Sequence, residues 1–503
     1  MDDVGTFCFR PVRVSPIPIL AAAALFGSLA APIAAADAVI SNGAYRMGAD
    51  VFWSRGIVGT GSTVAILDMG FGGLEKSIAA GELPAQGMVL RSFDDEYGLD
   101  GRTPVGSQTQ HGTRMAEIVH DVAPGAQLLL VNYHTQDEFQ DAVDWVIARA
   151  PAVISHSNSF LTPPYDGTGP SAAAVNRAAA AGILWVNSAG NFAKRHWTGR
   201  ASAAGTIFPL EVAPGQVLSY SITPFGTSSD RVHAELQKRG ASGVWAEQTS
   251  VSAGPDGALT DTLVSDGGEW RLQLTQTVGS DSLVRIFSRT IGFGGLAAGD
   301  GSIPTPGDAA GSLTVGAVPW TGTDLAPYSS RGPTQDGRPK PDVVGPTYVT
   351  ANREWPGTAG TSAATAHVAG AAALIADEQR AVGGPTDLAT LRGRLTGAAF
   401  DLGDPGIDPS YGAGMVRLDA TPPKVTLAVN DDARPQLVGL VRDQGTIGEV
   451  VVSIDGRRVR SLRSAQIRMR LPRMKAGRHR VVVAASDTSG NRVTAGQWVR
   501  VER

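Results

Sequence analysis

Three side chains spread along the chain have the types and the order that nucleophilic acyl transfer needs: a carboxylate, an imidazole and a hydroxyl. Ser362 stands near the start of GTSAATAHVAG, Gly360–Gly370, at the mouth of the Ala-rich run Ala363–Ala376, whose composition favours helix. A hydroxyl there sits at the positive end of the helix dipole, beside amides without intrahelical partners. Asp68 ends the apolar run VAILD, Val64–Asp68, and is followed by Gly70, Gly72 and Gly73. That pattern reads as a buried strand with an acid at its C-terminal tip, where open α/β sheets place their ligands. His111 opens HGTRMAEIVHDVAPGAQLLLV, in which Met115, Ile118, Val119 and Val122 recur at helical spacing, so His111 and Gly112 fall at a helix start. A serine hydroxyl is a poor nucleophile until a base takes its proton. A histidine oriented by a carboxylate is such a base. Each residue also has an ordinary reading: Ser362 as a helix N-cap, Asp68 as a turn former before glycine, His111 as a helix-start histidine.

Taken together, Asp68, His111 and Ser362 look like the Asp, His and Ser of the subtilisin-like serine peptidases, in that family's chain order. SAGN, Ser188–Asn191, follows the apolar Ile183–Val186 and resembles the segment that supplies the family's oxyanion-hole asparagine. By itself Asn191 would read as a loop amide satisfying nearby backbone. YSSRGPTQDGRPKPDVVGP, Tyr328–Pro346, resembles the approach to the nucleophile helix. The resemblance implies a serine endopeptidase acting through an acyl-enzyme, with His111 as base, Asp68 orienting it and Asn191 donating to the oxyanion. It also implies that VISHSNSF, Val153–Phe160, carries an edge that pairs with extended substrate, while Ser188–Gly190 forms the opposite wall of the specificity pocket. The expected substrate-binding residues are therefore Ser157, Asn158, Ser159, Ser188, Ala189 and Gly190, a rim without strong charge preference. Some neighbours depart from the family pattern: Met69 after the Asp, Arg114 and Met115 after HGT, Ala363 and Ala366 in the nucleophile segment. None removes a triad side chain.

No metal ligand set is expected. His120, His134, His156, His196, His233 and His479 show no ligand spacing, HxxxH is absent, and His367 inside the Ala-rich run reads as a packed core histidine. Calcium as a structural ion is the one cofactor that the resemblance allows. Its candidate is Asp94-Asp95-Glu96, which lacks a recognisable ligand spacing and so reads first as a solvated loop.

The elements that would hold these residues imply an α/β fold: a subtilisin-like, mainly parallel sheet flanked by helices, over residues 37–200 and 300–420. Between the two parts, residues 201–299 alternate polar and apolar in VLSYSI, RVHAEL, EWRLQLTQ and SLVRIFS, as an inserted all-β sandwich does. This insert resembles the pre-peptidase C-terminal β-domains of bacterial peptidases. After Pro422-Pro423, KVTLAV, EVVVSIDG, QIRMRL and HRVVVAASDTSGN give residues 421–503 the look of an immunoglobulin-like β-domain.

Length points to roughly two to four domains, while cysteine use says nothing about compartment. The chain has 503 residues and a net charge of −4, which gives no polyanion bias and no expectation of nucleic acid as a partner. Residues 421–503, however, hold 16 Lys+Arg against 7 Asp+Glu, so the last domain is a candidate for contact with anionic cell-envelope polymers. Arg10 and Arg13 precede the apolar Ile17–Ala36, which ends in Ala34-Ala35-Ala36. Residues 1–36 thus read as a signal peptide and place the protein outside the bacterial cytoplasm, secreted or in the cell envelope or periplasm. The only cysteine, Cys8, lies within that segment. Only Asp37–Leu67 would separate the signal from Asp68, which leads us to expect folding without a propeptide. The expected partner is a protein or peptide substrate.

Overall fold

The computed structural model describes residues 38–102, 109–202, 204–225, 230–260, 262–278, 283–430 and 435–501. The expected signal peptide, residues 1–36, lies outside them.

Seven strands make one parallel sheet: β1 (Thr63–Asp68), β2 (Val89–Ser92), β3 (Gln127–Asn132), β4 (Val153–His156), β5 (Leu184–Ser188), and, after an insert containing β6 to β13, β14 (Ser312–Pro319) and β15 (Val343–Thr347). Their order is β15-β14-β5-β4-β1-β3-β2, and every pairing is parallel. The inner strands are buried on both faces, which is why β1, β3 and β5 are nearly continuous apolar runs. After β1 the chain builds toward β3 and β2, then returns to build β4, β5, β14 and β15 on the other side. The C-terminal tip of β1 is therefore the switch point of the sheet, where a crevice opens between diverging connections. Asp68 occupies that tip.

Among the described residues eight α-helices accompany the sheet: α1 (Asn42–Met47), α2 (Ala49–Ser54), α3 (Leu74–Ala80), α4 (His111–Val122), α5 (Gln136–Ile147), α6 (Pro170–Ala180), α7 (Thr361–Ala381) and α8 (Leu388–Gly397). One apolar layer joins α4 and α7 to one face, through Met115, Ile118, Val119, Val368 and Leu374. A second joins α5 and α6 to the other, through Phe139, Val143, Ala172 and Val175. α5 begins at a capping box, in which the Thr135 hydroxyl accepts from Glu138 N and the Glu138 carboxylate accepts from Thr135 N. α7 has small residues all round and is buried from Thr361 to Ala376. Inside it His367 accepts the Ser41 hydroxyl on Nε2 and donates from Nδ1 to the Ala363 carbonyl, a packed core histidine as its sequence context implies.

The insert comprises β6 (His196–Arg200), β7 (Thr206–Leu218), β8 (Tyr220–Pro224), β9 (Arg231–Arg239), β10 (Trp245–Ala253), β11 (Ala258–Leu259), β12 (Leu263–Val278) and β13 (Leu283–Ser288). They form two antiparallel sheets, β10-β9-β12-β7 and β11-β8-β13-β6, around Phe208, Tyr220, Trp270 and Ile286. Since β6 pairs with β13, the sandwich begins at His196, ahead of residue 201. A second sandwich follows the core: β16 (Lys424–Val429), β17 (Gln436–Arg442), β18 (Ile447–Ile454), β19 (Arg457–Leu462), β20 (Gln466–Arg470), β21 (Gly477–Asp487) and β22 (Arg492–Val501). Its sheets are β16-β17-β20 and β19-β18-β21-β22. It is tied to the core by Arg46 donating to Ser489 O, Arg417 to Asn491 Oδ1 and Thr446 N to Asp50 Oδ2.

The spacing of α4 and α7 decides where His111 stands relative to Ser362. Gly370 makes that spacing, because a Cβ on it would come 2.6 Å from Val122 Cβ. Alanine is the better helix former by about 1 kcal/mol, so an exposed Gly→Ala change would stabilise. Here we expect Gly370→Ala to destabilise by about 1–3 kcal/mol through overpacking, read as a lower midpoint in urea, with a fall in any activity that depends on the two helices.

Candidate functional site

The loops at the C-terminal edge of the sheet bring Asp68, His111, Ser362, Asn191 and Ser157 into one site. Asp68 is only 1% exposed. Its Oδ1 accepts from Met69 N at 2.8 Å and its Oδ2 faces His111 Nδ1 at 2.7 Å. The carboxylate therefore holds the proton on Nδ1 and leaves Nε2 as the basic nitrogen. With Met69 where a hydroxyl residue is frequent, Oδ1 receives a backbone donor and no side chain. The His111 ring is 34% exposed. Desolvation lowers its pKa, but the Asp68 charge and hydrogen bond outweigh this, so the net shift is upward despite an opposing push from Arg114.

Ser362 is the second residue of α7 and is buried. Its hydroxyl donates to the Ser157 carbonyl at 3.3 Å, not to His111. In the other direction Ser157 Oγ meets Ser362 O at 3.5 Å. Nucleophile and base are commonly unpaired in resting sites and align when substrate enters.

Asn191 is fixed by what its oxygen accepts: Oδ1 takes Thr361 N at 3.0 Å and the Thr361 hydroxyl at 3.1 Å. The amide nitrogen Nδ2 is thereby turned toward the nucleophile loop, with no hydrogen bond among the described residues. Gly360, at φ +124°, leaves the adjoining space open. A Cβ there would stand 3.5 Å from Asn191 Nδ2, 3.6 Å from Ser362 N and 3.8 Å from Ser362 Oγ. Two donors and a hydroxyl thus border one pocket, the arrangement that receives an oxyanion. The Gly360 peptide is itself clamped: its N–H reaches Tyr328 OH (2.8 Å) and Thr347 Oγ1 (3.0 Å), and its carbonyl accepts from Thr347. Burial pushes the Tyr328 phenol up to about 12, with the Thr347 and Gly360 contacts pulling the other way, so it stays protonated.

The expected substrate-binding residues fall on two sides. Ser157 is buried at the end of β4, and Asn158 and Ser159 beyond it are half-buried. Ser188, Ala189 and Gly190 form a buried wall, with Ala189 N on Val315 O and Gly190 N on Thr361 Oγ1. Beneath both lies a chain of polar contacts: Tyr133 OH to His156 Nε2, His156 Nδ1 to Asn187 Oδ1, and Asn187 Nδ2 to Ser188 O. Burial drives the His156 pKa down to about 4, so this imidazole is neutral and joins the ends of β4 and β5. Sequence reasoning missed Thr361, Tyr328, Thr347 and Arg195. Arg195 donates from Nε and Nη2 to the Asn191 carbonyl at 3.1 and 2.8 Å and from Nη1 to Arg289 O, which fastens the Asn191 loop to the inserted sandwich.

In the acidic loop Asp94 Oδ1 accepts from Glu96 N and Tyr97 N as a turn cap, and its buried Oδ2 has no hydrogen-bond partner among the described residues. Among the described residues, the carboxylates close enough to share a cation are Asp419, Asp443 and Asp487, with oxygens within 4.8 Å of one another.

A buried carboxylate on an imidazole, a helix-start serine and convergent amide donors thus stand together at the C-terminal edge of a parallel α/β sheet. The subtilase family model matches residues 59–414, and the chain belongs to the subtilase family, whose members are serine endopeptidases. Compared by sequence with curated proteins, the chain has no match. Among solved structures it is similar to the Clostridium perfringens CspB protease, at 17% identity and TM-score 0.56, over 75% of this chain and 98% of that one. The prenylagaramide maturation protease PagA gives 15% and 0.42, over 74% and 96%. MycP1 from Mycobacterium smegmatis gives 16% and 0.39, over 73% and 80%.

Three outcomes follow from this geometry. Asn191→Ala should lower kcat roughly 10²–10³-fold, the usual effect of losing one such donor. Gly360→Ala should approach that loss with circular dichroism unchanged, because its methyl narrows the pocket and strains the turn. A base must be neutral to accept a proton, so kcat/KM should fall as pH drops through the His111 pKa. With that pKa raised, the acid limb of the profile should lie above 6.5, the ordinary histidine value.

Proposed function

We propose that this protein is an exported bacterial serine endopeptidase that hydrolyses peptide bonds through Asp68, His111 and Ser362. The observation that carries the reading is the 2.7 Å pair between buried Asp68 and His111 Nδ1, beside a serine whose loop borders two amide donors. In the proposed reaction His111 Nε2 takes the Ser362 proton as Oγ attacks the substrate carbonyl carbon. The oxyanion is received by Asn191 Nδ2 and Ser362 N. His111 then returns the proton to the leaving amine, and a water activated by the same base hydrolyses the acyl-enzyme. Extended substrate would lie along Ser157–Ser159, displacing the Ser362–Ser157 contact, with its selected side chain against Ser188–Gly190.

Export rests on Arg10, Arg13 and the apolar run Ile17–Ala36. Contact with anionic envelope polymers rests on the positive balance of residues 421–503 and on Arg478, whose guanidinium lies over the exposed Trp498 ring. Retention of the protein on such polymers that did not weaken with salt would remove that contact. Nucleic acid is not a proposed partner.

A fluorophosphonate probe tests the central claim. The folded protein should be labelled, and Ser362→Ala and His111→Ala should both lose the label. A folded wild type that stays unlabelled would make the protein a binding protein on a peptidase scaffold.

A further inference from the structure

Arg114 follows His111 by three residues, so the two side chains are neighbours on one face of α4. Its guanidinium lies over the indole of Trp355, 3.6 Å from the ring centroid. Trp355, 36% exposed, belongs to the hairpin closed by the Val349–Thr358 bridge, just ahead of Gly360 and Ser362. Arg114 Nε is shut off from solvent and has no hydrogen-bond partner. Among the described residues the side chain makes no ion pair at all. Neighbouring carboxylates are engaged elsewhere: Glu117, one turn on, accepts from Ser77 and Asn352, and Glu354 pairs with Lys76. A planar cation is thus held beside the base by stacking on the indole and by the charge of Glu117, with no hydrogen bond to its fork among the described residues. Guanidinium forks match carboxylates in two-point geometry.

The chemistry fixes which part of a substrate would meet it. At a tetrahedral carbon on Ser362 Oγ, the oxyanion points to Asn191 and the Ser362 amide, and the acyl chain runs to Ser157–Ser159. The leaving amine must point to His111, which protonates it. Arg114, one helical turn from His111 and near enough for its charge to act on that imidazole, flanks the base, with Trp355 stacked on it.

We propose that Arg114, backed by Trp355, is a specificity-determining residue for the leaving side of the substrate and binds a carboxylate there. This rests on the peptidase reading above. The carboxylate is either an acidic side chain at the first or second position after the scissile bond or the free C-terminus of a short leaving peptide.

Internally quenched peptides with one common acyl side test it, carrying Glu, Ala or Lys at each of those two positions, each ending as free acid or amide. The expected result is kcat/KM at least 10-fold higher for Glu than for Lys, arising mainly in KM. The ratio should collapse toward one in Arg114→Gln and partly return in Arg114→Lys. If the free acid with Ala is favoured over its amide and Glu over Lys is not, the C-terminus is the carboxylate bound. Arg114→Gln should also move the acid limb of kcat/KM to higher pH, since the cation opposing protonation of His111 is gone. A binding arm separates this proposal from the peptidase reading. In Ser362→Ala, leaving peptides beginning with Glu should bind at least 10-fold tighter than those beginning with Lys by calorimetry, and free acids tighter than amides. Loss of both differences in Arg114→Gln supports the site even if wild type cleaves nothing. Equal treatment of Glu, Lys, acid and amide by wild type in both arms, or a preference that survives Arg114→Gln, overturns it.

Discussion

A single helix of small residues, packed on every side, governs where everything else in the core can stand. α7 is buried for most of its length and lies against α4 and the sheet. At Gly370 it leaves no room for a methyl group against Val122, and Gly345 of β15 leaves none against the Ala364 carbonyl. The helix is also fastened at its far end, where Asp377 accepts from the amides of Val58, Gly59 and Thr60. Interiors packed this densely do not yield locally. Ser362 is consequently positioned by the whole core and not by its own loop alone, and His111 inherits its place through α4.

The electrostatics of α4 extend this coupling. His111, Arg114 and Glu117 recur at three-residue intervals along one stripe. His111 is held by Asp68 and Arg114 by Trp355, while Glu117, raised to about 7 chiefly by burial, grips Asn352 in the hairpin before the nucleophile. The helix of the base and the loop of the nucleophile are thus tied together by a polar bond as well as by packing. Asn191 is held from two directions, by Thr361 on its side chain and by Arg195 on its carbonyl.

Asp68, His111, Ser362 and Asn191 were legible in the sequence because reactive side chains cannot be exchanged for other types and because their elements announce themselves. VAILD is apolar enough to be a doubly covered strand, and the 3.6-residue period of α4 places His111 at its start. Thr361, Tyr328, Thr347 and Arg195 were not legible. Their work is done by backbone-directed contacts between segments far apart in the chain, and such contacts impose no period and little composition. Asp94 was open to two readings from sequence, a cation ligand or a solvated loop; in the structure its Oδ1 caps its own turn. The three carboxylates that do converge, Asp419, Asp443 and Asp487, come from separate segments, which no local pattern reveals. Strand β6 falls inside residues 37–200, expected as core, while its pairing with β13 joins it to the sandwich.

The insert also bears on how the chain reaches this structure. β5 and β14 are neighbours in the sheet, with Val315 opposite Ser188, yet the whole sandwich lies between them in sequence. Contacts so distant along the chain slow folding, since closure entropy is lost before the contact is made. The penalty grows only logarithmically with loop length, by about 0.6 kcal/mol per doubling, and a sandwich with its own apolar core can fold before the sheet closes. Once β6 has paired with β13, the two ends of the insert are held together, and the remaining search from β5 to β14 is that of a short loop. The order of assembly this favours is the sandwich before closure of β5 on β14, so the sheet beneath Ser362 and His111 is completed only after the insert has its own core.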